Sequence, residues 1–197
     1  MPLTKLNNKA VANVTSIPVA LGDMVLVSSA TASSSASIEF TLGNYKEYQF
    51  YFVNMHPSVD DAFLMMNFST DNGSNYNVTK TSTFFFTYHS ENDAFQNFTY
   101  GTSFDLAQST ANQYISDSIG TSNDNNASGY FKLFNPSNTT YVKHWISNTN
   151  AQRNAIEWIS NNYSAGYANT TSALTNIRFS MSSGNIDSGT ILMYGIN

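Results

Sequence analysis

The sequence contains no cysteine, which excludes disulfides, thiolate metal sites and cysteine nucleophiles together. Charge is the next scarcity. Only 11% of residues are Asp, Glu, Lys or Arg, against about a quarter in ordinary globular domains. The eight Lys and Arg are spread thinly and the formal net charge is −5. No basic stripe is available for phosphates, so no nucleic-acid partner is expected. Long apolar runs are missing too: none approaches the roughly 20 residues of a membrane-spanning helix. The opening residues, Met1 to Ala10, lack the apolar region of a secretory signal. The expectation is a soluble chain made in a cytoplasm, without membrane insertion.

The usual helix fillers, Lys, Glu, Arg and Leu, are also few. Asn, Ser and Thr are abundant instead, with 14 Phe and 12 Tyr. Asn and Ser side chains compete for backbone hydrogen bonds, which favours turns and caps over helix interiors. Thr, Tyr and Phe suit the pleated surface of strands. With 41% hydrophobic residues over 197 positions, the chain has enough apolar surface for a sizeable core and is not expected to be disordered. Sparse charge also gives weak repulsion between copies, which permits close self-association.

Residues 1–36 differ from the rest. They are polar at first, interrupted by Pro18, Gly22 and Asp23, and end in a run of small residues, Ser28 to Ala36. Two readings fit this stretch equally: an N-terminal arm and linker used for attachment, or a segment whose residues 24–27 already form a first strand. From Ser37 onward the apolar period becomes two. Ile38, Phe40 and Leu42 alternate with polar residues, as do Tyr48, Phe50 and Phe52, and later Ile177, Phe179 and Met181. Residues 62–69, 83–89 and 129–134 read as further strands, with the triple Phe84, Phe85, Phe86 suited to a central one. A short helix is allowed near residues 106–114. Residues 141–146 and 154–159 read as two strands joined by a polar turn at 147–152, and 190–194 as the last strand. Turn signals separate them, notably Asp71 to Asn75, Asn135-Pro136 and Ser182 to Asn185. Short strands at this spacing predict an all-β fold, an antiparallel β-sandwich or jelly roll spanning residues 37–197 behind the N-terminal arm.

Candidate chemistry is thin. His56, His89 and His144 have no His or carboxylate partner at metal-ligand spacing. Asp71, with Asn72 and Asn75, offers clustered oxygens for Ca²⁺, but a hairpin turn explains the same residues more simply. Glu39, Glu47 and Glu157 lie in strand-like stretches, where outward-facing positions account for them better than the paired acids of a glycosidase. No nucleophile elbow, phosphate loop or dinucleotide fingerprint occurs. The expectation is no catalytic residue, no metal and no cofactor. Trp145, Trp158, Tyr163 and Tyr167 stand close in sequence among many Asn and Ser, a composition suited to stacking on sugar rings; core packing is the plainer reading of such aromatics.

Three stretches resemble small structural proteins of tailed, marine-type bacteriophages: the opening Met1-Pro2-Leu3-Thr4-Lys5-Leu6-Asn7-Asn8, residues 34–41 leading into Tyr48 to Phe52, and the closing residues 177–196, which resemble a closing hairpin of such modules. Such modules occur on tail fibres, on receptor-binding parts and as head decorations. The resemblance implies a non-enzymatic virion component, homo-oligomers (often trimers on fibres), contact with other virion proteins and, on some particles, with host surface polysaccharide. It transfers no site residue.

Overall fold

The structure, a computed structural model, describes residues 24–153 and 158–197. Within them the chain forms twelve strands and no helix: β1 (Met24–Thr31), β2 (Ile38–Thr41), β3 (Glu47–Pro57), β4 (Ala62–Ser69), β5 (Lys80–Ser90), β6 (Gln96–Tyr100), β7 (Gln113–Ile119), β8 (Ala127–Phe134), β9 (Lys143–Arg153), β10 (Trp158–Ala168), β11 (Asn176–Met181) and β12 (Ile186–Ile196). All pairings are antiparallel. Eight strands make one sheet in the order β1-β12-β3-β8-β9-β10-β5-β6, and four make a second in the order β2-β11-β4-β7. The two pack as a β-sandwich, the fold class expected from the period-two alternation.

The core lies where the smaller sheet faces β3, β8 and β9. Phe50 is fully buried and meets Phe40, Phe131 and Phe179 at ring-centroid distances of 5.6, 6.2 and 5.3 Å. Phe52 joins Phe179 at 5.1 Å, and Phe68 reaches Trp145 at 5.7 Å. The tilted and edge-on angles are those aromatic quadrupoles favour. A second cluster, Phe63, Phe84, Phe86, Phe104 and Tyr114, fastens residues 101–112 against β5.

Several local expectations change. Residues 106–114 are not helical. Ser109 exchanges both backbone bonds with Lys80, and the Leu106 carbonyl accepts from Ser82 N–H while its N–H donates to Ser82 Oγ, so the segment runs as a pseudo-strand beside β5. Residues 147–152 are not a turn but the second half of β9, paired throughout with β10. The turns at 71–75 and 182–185 are present, yet neither closes a hairpin. β4 and β5 belong to different sheets, and so do β11 and β12, so both turns carry the chain across the sandwich. The first of them needs left-handed backbone at Asn72 and Gly73. The triple Phe84–Phe85–Phe86 lies one strand from the sheet edge. Part of the N-terminal segment, Met24–Thr31, is β1 and pairs with β12; residues 1–23 lie outside the described residues.

Candidate functional site

The larger sheet has a covered and an open face, and strict alternation assigns each residue of β9, β10 and β5 to one of them. On β9, Lys143, Trp145, Ser147, Thr149 and Ala151 are buried, while His144, Ile146, Asn148 and Asn150 turn outward. On β10, Ser160, Asn162 and Ser164 are buried and Ile159, Asn161, Tyr163 and Tyr167 turn outward.

This alternation divides the four aromatics considered for sugar stacking. Trp145 is 1% exposed and lies against Phe131 and Phe68. Its indole fills a slot opposite Gly166, where a Cβ would fall 2.5 Å from the ring. Trp145 therefore offers no ring face to a ligand, which corrects that part of the expectation. Trp158 is on the covered side as well, partly buried, with its ring 4.5 Å from Tyr88 and the Arg153 guanidinium 5.3 Å from its centre. Tyr163 and Tyr167 are on the open face. Tyr167 accepts a hydrogen bond from Gln108 Nε2 at 3.2 Å and sits 6.0 Å from the His144 ring.

Tyr163 belongs to a larger group that the sequence did not single out. Register places Tyr51, Tyr130, Asn148, Tyr163, Phe85 and Tyr100 in one row across six adjacent strands. Phe85 and Tyr163 stack at 5.0 Å with an interplanar angle of 11°. Phe98, on β6, closes on Phe85 at 5.6 Å. Phe98 is 65% exposed, Tyr100 48% and Tyr163 39%. Beside them Asn148 Nδ2 donates to Asn161 Oδ1 at 2.6 Å and to the Asn162 carbonyl, which fixes both amides in place. The outward residues of β9, β10, β5 and β6 include no Lys, Arg, Asp or Glu. The result is a platform of rings and amides with no charged residue on its own strands, bordered by Asp105, which accepts from the Tyr100 hydroxyl at 2.7 Å, and by Asp93 beside His89. Its one sequence signal is the two-residue spacing of Phe98 and Tyr100.

Compared with protein-family models, with characterised proteins and with solved structures, the chain matches none.

The remaining candidates are dispersed. His56 lies 3.9 Å from Asp187 and near the Ser122 carbonyl, His89 pairs with Asp93 at 3.0 Å, and His144 stands on the open face. Among the described residues no three His, Asp or Glu gather as metal ligands. Asp71 spends its carboxylate on the turn, accepting from Ser69 Oγ at 2.6 Å and from the Asn75 backbone and side chain. Those bonds, Ser69's foremost, lower its pKa to about 2. Glu39 faces Arg178 across the smaller sheet, whereas Glu47 accepts from Gln49 on the larger one. Glu157 lies outside the described residues.

Lys80 is the most unusual titratable group. It is fully buried, and its Nζ donates to Asn67 Oδ1 and to the Val78 carbonyl, each at 2.7 Å. Burial alone brings its pKa down to about 7. Asn67 in turn donates to the Thr110 carbonyl and to Asn112. The cluster ties β4, β5 and the pseudo-strand together.

Proposed function

We propose that the protein is a non-enzymatic structural component of a bacteriophage particle, a β-sandwich module attached to the virion and used in assembly and in contact with other surfaces. The observation that carries the reading is the open face around Phe85, Phe98, Tyr100 and Tyr163. An exposed cluster of large rings on a domain this poor in charge is the usual mark of a contact surface. The resemblance of residues 1–8, 34–41 with 48–52, and 177–196 to phage virion modules supports the particle context. Of the segment expected to serve attachment, residues 1–36, Met24–Thr31 is β1 and Ala32 joins the core, so the attachment role is proposed for the residues ahead of β1. Antibody raised against the chain should label gradient-purified phage particles from the source culture. Its presence in infected-cell lysate with none on particles would overturn the proposal.

A second reading has its own observation. Amides held at fixed positions beside exposed tyrosine and phenylalanine rings suit a neutral host glycan, with hydrogen bonds from Asn148 and Asn161 and ring contact from Tyr163. Under this reading Tyr163→Ala lowers binding of labelled host surface polysaccharide at least tenfold. Unchanged binding, or none by the parent protein, removes it.

A further inference from the structure

The larger sheet ends at β6, which pairs only with β5 among the described strands. The hydrogen bonds at its two ends fix which of its groups are free. Gly101 N–H donates to the Phe84 carbonyl, and Ser90 N–H donates to the Phe95 carbonyl. Antiparallel bonding alternates by two residues, so Phe95, Asn97, Thr99 and Gly101 turn their backbone groups toward β5. Gln96, Phe98 and Tyr100 turn theirs away from it, along the open edge.

Open edges are normally guarded by charge, proline or a bulge. Gln96 to Tyr100 has no charged residue and no proline, and its register against β5 is unbroken. The guard present is one amide: Asn97 Oδ1 accepts the Phe98 N–H at 2.9 Å. Asn97 is exposed and can rotate away.

We propose that two copies of this chain join edge to edge through β6, antiparallel, with Phe98 on the twofold axis. A second copy is the occupant the edge itself specifies. A twofold axis at Phe98 sets Phe98 against its counterpart and Gln96 against Tyr100, and each of these residues is one whose backbone groups face outward. The edge is thus self-complementary in hydrogen bonding, as an isologous interface requires. Side chains agree. Gln96, Phe98 and Tyr100 share the open face with Phe85, so pairing extends the Tyr163–Phe85–Phe98 run into the same run of the partner. Gln96 to Tyr100 itself carries no charge to the axis; the nearest carboxylates flank it, Asp105 accepting from the Tyr100 hydroxyl at 2.7 Å and Asp93 paired with His89. Pairing is independent of where the protein sits: a monomer still found on particles overturns the dimer and leaves the particle assignment intact.

Sedimentation of the full chain over a range of concentrations tests this. The parent protein should form dimers. Gln96→Pro removes an outward N–H while keeping every β5 bond and every exposed ring, and should weaken the dimer at least tenfold. Phe98→Lys, a change at a mostly exposed side chain, should abolish it by placing two charges at the axis, and keeps the test open if the proline variant does not fold. Circular dichroism melts report folding of each. A parent protein monomeric up to about millimolar concentration, where specific pairing should be evident, overturns the proposal. So does a dimer that survives Phe98→Lys, or one that a folded Gln96→Pro leaves unchanged.

Discussion

Two stretches of the same sheet face are packed in opposite ways. Under β3 and β8 the covered face is a web of rings, with Phe50, Phe52 and Phe131 meeting Phe40, Phe68 and Phe179 from the smaller sheet. Under β9 and β10 it is largely polar: Ser147, Thr149, Ser160, Asn162 and Ser164 are all at most 3% exposed. There Thr149 Oγ1 donates to the Ile115 carbonyl at 2.6 Å, and Asn162 Nδ2 donates to the Thr149 carbonyl and Ser160 Oγ. The ring web is held by non-directional burial, which scales with area. The polar seam gains little net energy per bond but punishes a wrong partner, because an unpaired buried group loses its full hydration. The first region supplies stability. In the second, the Thr149–Ile115 bond ties β9 to β7, Asn162 bonds within the β9–β10 pair, and Ser147 Oγ, Asn162 Oδ1 and Ser164 Oγ are buried with no hydrogen-bond partner among the described residues.

That contrast can be broken most sharply at Phe50. Phe50→Ala should cost about 3–5 kcal/mol, the range for truncating a buried ring, read as a lower denaturant midpoint at unchanged slope. The next largest effect concerns pH. Lys80 gives up its proton at about 7 in the folded chain, whereas the unfolded side chain holds it to about 10.4. Between those values the unfolded state binds the extra proton, so stability rises with pH, by up to about 1.4 kcal/mol per unit. Below pH 7 the cost of the buried charge is fully present. Lys80→Met should flatten this slope in urea unfolding curves measured from pH 7 to 10; an unchanged slope would assign it to other groups. In the polar seam, Asn162→Ala should cost about 1–3 kcal/mol through the partners it strands, less than Phe50→Ala despite equal burial. On the open face, Tyr163→Ala should change stability by only about 1 kcal/mol, the scale of one stacked aromatic pair, visible as a small shift in thermal melting.

The same contrast explains what the sequence disclosed. Around the ring web the two faces of each strand differ in hydrophobicity, so Ile38 and Phe40, Tyr48, Phe50 and Phe52, and Ile177, Phe179 and Met181 announce both strand and inward side. Through 147–149 on β9 and 160–164 on β10 the inward residues are Ser, Thr and Asn, and the period-two signal vanishes there. Residues 147–152 then read as a polar turn, and Trp145 and Tyr163 look equivalent although they lie on opposite faces. The triple Phe84, Phe85, Phe86 is ambiguous for the converse reason, since rings on both faces hide the inward one. Strand partners were less legible than strands. Gly and Asn at 72–73 and 184–185 specify a change of direction, but the sheet that receives the next strand is decided by distant packing. Of the open platform only Tyr163 and Tyr167 were named from the sequence; the two-residue spacing of Phe98 and Tyr100 was a signal too, but Phe85, Phe98 and Tyr100 come from strands assembled by register.

The position of β12 has a consequence for the order of assembly. It lies between β1 and β3, so β1 joins the sheet only through residues 186–196. While the chain is being synthesised, β3 can zip to β8 and the ring web can begin to form, but one edge of β3 stays open and β1 has no place to dock. Those residues leave the ribosome after almost everything they bind. Closure of that side of the sandwich is therefore a late, non-local event, the kind that makes folding slow and exposes strand edges to neighbours. A newly made chain is at its most vulnerable to other chains just before β12 emerges.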